Sequence, residues 1–202
     1  MTEAGIGRIL VASLHQGIVD LLPTRLPFYE NWLNSDGLRH GTIGLAPFQA
    51  VLSFLRQEGE AYRLITERAG EYAGEWTVAS QSAVGRSMIR ALPRWIRTRA
   101  ALRVARRAIR DSYVGTRAII RLGKGRGTID VRASLFCGIR EPSAEALCQY
   151  YAAVVGRVLE LYTIRGEVTT GQCRAKGDAF CVLELALDTS RPPKFPSIVG
   201  TP

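Results

Sequence analysis

The sequence predicts an α+β fold, with an N-terminal helical layer packed on a twisted antiparallel sheet of about four strands. Apolar residues recur at helical spacing through residues 1–113, whereas residues 114–188 contain two pairs of strand-like runs separated by a helix. Glycine-containing turns join the strands of each pair, and short connections of this kind are typical of antiparallel neighbours. We therefore expect one domain over residues 1–188 and an extended, proline-rich tail over 189–202.

Helices are predicted where apolar residues share one face and where proline or glycine ends the pattern. Pro23 stops the first helix, and Pro93 separates two later ones. Gly70 and Gly74 lie four residues apart on one helix face, which indicates close packing against a neighbour. The predicted helices cover residues 7–22, 27–34, 48–57, 60–78, 84–92, 93–113 and 143–162. The predicted strands cover residues 116–122, 128–134, 167–175 and 179–187.

The net charge of +9 is the unusual feature of the composition. Much of it comes from residues 76–110, which contain no acidic residue. Arg99, Arg103, Arg106 and Arg110 follow helical spacing and form one stripe. A solvated helix face is the usual explanation, and the alternatives are contact with an anionic membrane surface or with ligand carboxylates. Sequence-specific binding of nucleic acid is not expected, because neither a recognition helix motif nor interleaved aromatic residues accompany the stripe.

Several familiar functional motifs are absent from the sequence. There is no dinucleotide-binding glycine fingerprint and no nucleophile elbow of the Gly-x-Ser-x-Gly type. The glycine-rich stretch 123–127 joins two predicted strands, so we interpret it as a hairpin turn and not as a phosphate loop. No apolar run is long enough to span a membrane, and residues 1–5 have no basic secretory region. A cytoplasmic location is therefore expected.

Two cysteines in the last third of the chain are predicted to face each other across a hairpin. Gly177-Asp178 is a turn signal midway between Cys173 and Cys181, and a three-residue loop over 176–178 would place the two cysteines opposite each other. Because side chains alternate along a strand, Cys181 shares its face with Leu183, and both thiols are expected to point inward.

Inward-facing thiols have three interpretations. They are small core residues, a disulfide, or ligands of a metal together with Cys137 and Cys148. A cytosolic location argues against a stable disulfide. Ten, twenty-four and seven residues separate the four cysteines in turn, and this is not a zinc-finger spacing. The residues alone leave core packing and metal binding open.

The segment from about Ala79 to Leu187 contains an Ala- and Arg-rich helix, a strand end with Cys137, a helix beginning Cys148-Gln-Tyr-Tyr-Ala-Ala, and a Cys-x-Ala-x-Gly-Asp-x-x-Cys hairpin over residues 173–181. In these features it resembles the 4-vinyl reductase domain family. The family includes a protein of bacteriochlorophyll biosynthesis. It shares its fold with subunits of the TRAPP tethering complex and with the sensor domains of phenol-responsive regulators.

The resemblance implies a structural zinc site. In the phenol sensors three cysteines and a glutamate hold zinc, and the matching cysteines here are Cys148, Cys173 and Cys181. The position of the family glutamate is occupied by Thr170. We therefore expect Cys137, Glu167 or a water as the fourth ligand.

The resemblance further implies that the protein binds an apolar or tetrapyrrole-like molecule between the helices and the sheet. Because no nicotinamide or flavin motif is visible, we expect a substrate carrier or accessory factor in 4-vinyl reduction that works with a partner reductase. The alternatives are a ligand-sensing or scaffold module that acts through an effector protein or a homodimer, and a true 4-vinyl reductase. The predicted ligand-binding residues are aromatic or basic: Trp76, Trp95, Tyr113, Phe136, Tyr150, Tyr151, Arg99 and Arg103.

Overall fold

Helices precede and then cover one face of an antiparallel sheet, which confirms the predicted α+β class. The computed structural model describes residues 5–33, 44–123, 125–138 and 142–188. The helices are α1 (Arg8–Leu21), α2 (Leu26–Glu30), α3 (Leu45–Gln57), α4 (Glu60–Ala79), α5 (Ala83–Ala91), α6 (Arg94–Arg110) and α7 (Gln149–Leu161). The strands are β1 (Arg117–Leu122), β2 (Arg126–Arg132), β3 (Gly166–Gln172) and β4 (Cys181–Leu187).

Helix α4 packs at very short range against α7. A Cβ atom added at Gly70 would lie 2.3 Å from the carbonyl oxygen of Tyr150, and one added at Gly74 would lie 3.1 Å from that of Val154. Gly17 on α1 approaches the backbone of α4 in the same way, with 2.8 Å from its hypothetical Cβ to the Ile65 carbonyl oxygen. The predicted close packing at the paired glycines is therefore confirmed, and it forms the centre of the helical layer.

The four strands are ordered β1-β2-β4-β3, and each neighbouring pair is antiparallel. Ile129, Val131 and Leu183 are buried on the inner face, where they contact the helices. Strand β3 lies at one edge and carries a register shift between Thr170 and Gln172. This arrangement places α7 beside the edge strand, with one face of α7 turned towards α4.

The hairpin between β3 and β4 differs from the predicted three-residue loop. Strand β3 ends at Gln172, and a 3₁₀ turn over Arg174–Lys176 precedes Gly177, whose φ is 97°. The Asp178 carboxylate accepts a hydrogen bond of 2.8 Å from the Cys173 amide, so this side chain closes a wider turn. The predicted inward direction of Cys173 and Cys181 is nevertheless confirmed, because both are fully buried.

Helix α7 begins at Gln149, so the predicted start at Ser143 is wrong. The Ser143 amide donates to the Ala175 carbonyl oxygen at 2.6 Å, and the Ser143 side chain caps only a local turn at Glu145. These bonds hold residues 142–148 against the hairpin, in competition with a further helical turn.

The other boundaries differ from the predictions by a few residues. Strand β2 extends back to Arg126, which shortens the predicted turn over 123–127, and it ends at Arg132 because Ala133 has a positive φ of 53°. Helix α6 ends at Arg110, three residues before the predicted end. The proposed tail over 189–202 lies outside the described residues. Within the described ranges, no helix is long and apolar enough to cross a membrane.

Candidate metal centre and adjoining groove

Four thiols meet in one buried cluster. The sulfur of Cys137 lies 3.0 Å from that of Cys148, 3.4 Å from that of Cys173 and 3.6 Å from that of Cys181. The sulfurs of Cys148 and Cys173 are 3.6 Å apart, and all four lie within 4.8 Å of one another. We refer to these residues as the four-thiol cluster. All four cysteines are free thiols.

Each cysteine comes from the end of a different element. Cys137 ends a 3₁₀ turn that follows β2, and Cys148 is the residue before α7. Cys173 follows β3, and Cys181 begins β4. The cluster therefore connects the sheet to the first turn of α7. Two of its cysteines belong to the β3–β4 hairpin, and the other two come from outside it.

Two backbone amides point at sulfurs of the cluster. The Leu147 amide donates to Cys173 Sγ at 3.3 Å, and the Arg174 amide donates to Cys181 Sγ at 3.5 Å. Hydrogen bonds from amides favour the thiolate form of cysteine, which is the form that binds metals. The thiols of Cys137 and Cys148 also face Cys173 and hold its pKa below the usual range.

The pKa values of Cys137 and Cys148 are shifted upwards, which favours their neutral thiol form, whereas that of Cys181 is lowered by the thiols of Cys137 and Cys148. The sulfurs of Cys137, Cys173 and Cys181, together with burial, raise the pKa of Cys148 well above its ordinary value. Four buried thiolates would repel one another unless a cation compensated their charge. The cluster therefore has the chemistry of a site that releases protons when a metal binds.

The distances fit a tetrahedral ligand set. Four sulfurs placed about 2.3 Å from a central ion would lie about 3.8 Å from one another. Four of the six sulfur–sulfur separations are 3.0–3.6 Å, and all six are within 4.8 Å, so the set lies around that value and is much wider than a disulfide bond of about 2.05 Å. The four-thiol cluster can therefore hold a metal ion after a small adjustment of the sulfur positions.

Of the three predicted alternatives for a fourth ligand, Cys137 places its sulfur among the other three thiols. Its sulfur is the one within 3.6 Å of each of the other three. Glu167 is exposed on β3, and Thr170 lies in the same edge strand without joining the cluster. The long sequence separation between Cys137 and the hairpin conceals this contact, since only the pairing of β2 with β4 brings their ends together.

The predicted ligand-binding residues separate into a buried group and an exposed group. The rings of Phe136 and Tyr150 stack with centroids 4.9 Å apart, and Tyr151 meets both edge-on. All three side chains are buried, and in the sequence each residue is close to Cys137 or Cys148. Burial raises the pKa of both tyrosines. They contact one another, so a ligand would have to separate these rings to enter between them.

The other predicted residues lie elsewhere. Trp95 is 62% exposed on α6, and the Arg99 guanidinium lies 5.4 Å from the centroid of its ring. Arg103 is exposed on the same helix, while Tyr113 and Trp76 are partly buried. Tyr113 forms a backbone bridge with Ile6, and Trp76 stacks on Tyr72. The structure does not bring these residues together with the buried aromatic group.

A groove of about 1000 Å³ runs between α4, α7 and β3. We call it the α4–α7–β3 groove. Its floor on α7 consists of small residues, Ala152, Ala153 and Gly156, and Val168 lines it from β3. A Cβ atom at Gly156 would meet nothing within 4 Å, so this position faces open space. None of these residues is among those predicted from the sequence, although small side chains at helical spacing on α7 are a signal that could indicate them.

Charged side chains surround the groove. Arg63 pairs with Glu67 at 3.0 Å, and Arg157 pairs with Glu75 at 2.7 Å. Arg165 is exposed at the end of the groove nearest the start of β3. Glu67, Glu71 and Glu160 also line the groove, so its apolar floor is bordered by a rim of mixed charge. An apolar floor with a few polar groups at the rim suits an apolar molecule that carries polar substituents.

The chain is similar in fold to a solved TRAPP subunit. This structure is a trafficking protein particle complex subunit 3 from Naegleria fowleri, covalently bound to palmitic acid. The alignment has a TM-score of 0.51 and 15% sequence identity, and it covers 71% of this chain and 92% of that chain. The predicted likeness to TRAPP subunits is thereby confirmed at the level of the fold.

No protein-family model matches the chain, and no curated protein sequence matches it. Membership of the 4-vinyl reductase domain family accordingly stays a prediction that rests on the cysteine motifs.

Proposed function

We propose that this protein is a small-molecule-binding module that holds an apolar, acid-bearing ligand in the α4–α7–β3 groove. The observation that carries the proposal is the groove itself, because it lies between the helical layer and the sheet and has a floor of small residues. Its volume of about 1000 Å³ is at the upper end of the range of about 300–1,000 Å³ found for small-molecule sites.

Two ligand classes suit this groove. A tetrapyrrole has a broad apolar ring system, and its carboxylates would pair with Arg165 at the rim, or with Arg63 or Arg157 in exchange for the glutamates that pair with them now. A fatty acyl chain is the second class, since the related fold of the Naegleria fowleri subunit carries palmitic acid. The two classes differ in light absorption, which makes them easy to distinguish by experiment.

The proposed role is that of a carrier or accessory factor in 4-vinyl reduction, which presents its ligand to a partner reductase. The resemblance of the cysteine motifs to the 4-vinyl reductase domain family supports this role. The fold similarity to a complex subunit favours a second candidate, a scaffold or sensing module that responds to the ligand by changing its contacts with another protein.

We further propose that zinc occupies the four-thiol cluster and has a structural role. Zinc prefers tetrahedral thiolate sets, and sites with four protein ligands are structural because no position is open for substrate. When bound, zinc would supply the charge compensation that the four buried sulfurs require. Cys137, Cys148, Cys173 and Cys181 would hold it, and the amides of Leu147 and Arg174 would stabilise two of the thiolates.

Filling the groove is expected to weaken ligand binding without loss of stability. In Gly156→Phe the new ring enters open space on α7, so we expect binding of a porphyrin dicarboxylate to weaken at least about 10-fold through lost contact area. The measurement is a titration followed by the absorbance of the porphyrin, with a fluorescent fatty acid as the second ligand.

The matched control adds the same ring at an exposed helical position that does not line the groove, in Gln57→Phe. This variant should bind as the unmodified protein does. Equal affinities for Gly156→Phe and the unmodified protein would contradict the proposed site. Binding of neither ligand class by the zinc-loaded protein would contradict the proposed function.

A further inference from the structure

We propose that α5 and the exposed side of α6 form a docking surface for anionic lipid bilayers, which is independent of the ligand site in the groove. Helix α5 has no buried residue and packs against α6. Its exposed side displays Val84 at 70% and Met88 at 66% exposure, four residues apart and thus on the same face. An isolated apolar helix face of this kind is typical of segments that lie in a membrane interface.

The first residues of α6 continue this surface beyond the Leu92-Pro93 junction. Trp95 is 62% exposed, and Arg97 donates a hydrogen bond of 2.9 Å to the Arg90 carbonyl oxygen, which fastens the start of α6 to the end of α5. Tryptophan is enriched at membrane interfaces because its ring is apolar and its indole nitrogen is polar. The exposed apolar side chains of α5 and α6 therefore belong to two helices that are fastened to each other where they meet.

Arginines supply the second part of the surface. Trp95, Arg99, Arg103, Arg106 and Arg110 follow one stripe along α6, and the four arginines are exposed. The opposite side of the helix carries Leu102, Ala105 and Ile109, which are buried in the core as the sequence predicted. No acidic residue occurs between residues 76 and 110, so nothing within this segment neutralises the stripe. Anionic phospholipid headgroups complement its charge.

The exposed aliphatic side chains favour a bilayer over nucleic acid. Phosphates of nucleic acid would accept the arginines, but they offer no partner for Val84 and Met88. A lipid bilayer accepts both, since its headgroups face the arginines and its acyl region buries the apolar side chains. The arginines together with the exposed aliphatic side chains therefore favour a lipid bilayer, whereas the arginines alone would also suit nucleic acid.

Vesicle flotation of the full chain tests this surface. We expect the protein to bind phosphatidylcholine vesicles that contain phosphatidylserine, to bind pure phosphatidylcholine weakly, and to dissociate as the salt concentration rises. The variant Arg99→Gln/Arg103→Gln/Arg106→Gln should lower the partition coefficient at least about 10-fold, and Val84→Ser/Met88→Ser should lower it about 5-fold or more.

Matched controls separate this surface from general electrostatic and apolar effects. Arg117→Gln/Arg121→Gln/Arg126→Gln removes the same charge from exposed positions on the sheet, and Leu64→Ser removes an exposed apolar side chain of α4. Both should bind vesicles nearly as well as the unmodified protein. Equal losses in the two arginine variants would overturn the proposal, as would a failure to float with anionic vesicles.

Duplex DNA provides the competing outcome. If the protein binds DNA and this binding depends on Arg99, Arg103 and Arg106 but not on Val84 and Met88, while vesicle binding is absent, the surface recognises nucleic acid and the membrane proposal is wrong. Because none of these variants touches the groove, porphyrin binding should be unchanged in all of them, so this test fails or succeeds separately from the proposed function.

Discussion

Serine in place of Cys173 is expected to abolish zinc binding and to lower the free energy of unfolding by about 3–5 kcal/mol. Cys173 lies at the junction of β3 with the hairpin turn, and its sulfur contacts those of Cys137 and Cys148. Structural zinc contributes an apparent 10–16 kcal/mol or so in small zinc-finger peptides that are unfolded without it. The loss is expected to be smaller here, because the helical layer has its own apolar core.

Zinc content measured by elemental analysis, together with thermal and chemical denaturation, checks this expectation. A strong chelator should lower the unfolding midpoint of the unmodified protein and leave that of Cys173→Ser unchanged. Ser134→Ala is the matched control, because Ser134 lies 3.9 Å from the Cys148 sulfur without being a ligand, and it should retain stoichiometric zinc.

The same experiment tests the assignment of the fourth ligand. Cys137→Ser should lose zinc affinity to a similar extent as Cys181→Ser, since both sulfurs belong to the four-thiol cluster that is proposed to bind zinc. Retention of tight, stoichiometric zinc in Cys137→Ser would assign the fourth position to another group. Purified, reduced protein with four free thiols, no metal and no response to the chelator would show that the cysteines serve as core residues.

Alanine in place of Gly70 is expected to destabilise the protein by about 2–4 kcal/mol. The added Cβ would lie 2.3 Å from the Tyr150 carbonyl oxygen and 2.7 Å from the Ala153 Cβ, so α4 and α7 would have to move apart. Backbone atoms cannot rotate away as a flexible side chain can. The measurement is the free energy of unfolding from denaturant titration.

Gly156→Ala on α7, the helix that packs against α4, is not expected to destabilise the protein. Gly156 faces open space in the middle of α7, so alanine there should leave stability unchanged or raise it by about 0.5–1 kcal/mol through better helix propensity. The test therefore compares the free energies of unfolding of the two variants, and that of Gly70→Ala should be the lower. If both variants changed stability equally, α4 and α7 would not pack as closely as the structure shows.

Much of the helical layer follows from local features of the sequence. Pro23 and Pro93 lie between helices because proline lacks an amide donor and disfavours a continuing helical turn. The stripe from Arg99 to Arg110 faces outward because the intervening apolar residues of α6 recur at helical spacing and are buried. Gly70 and Gly74 indicate a close helix pair, although the sequence does not specify which helix is the partner.

The sheet and the site depended on contacts that the chain makes over long distances. Strand alternation predicted that Cys173 and Cys181 point inward, but not the wider turn, because the Asp178 carboxylate and a 3₁₀ turn close it. The start of α7 was misplaced because Ser143 bonds to the hairpin, 32 residues further along the chain.

The sequence by itself determined the α+β class, the helix faces, the inward cysteines and the exposed arginines, because each depends on spacing between near neighbours in the chain. The tertiary structure alone decided that Cys137 completes the four-thiol cluster, that the aromatic residues divide between core and surface, and that a groove opens along β3. The reason is physical. Periodicity specifies which side of an element is buried, whereas the pairing of β2 with β4 and the packing of α4 on α7 specify which buried sides meet.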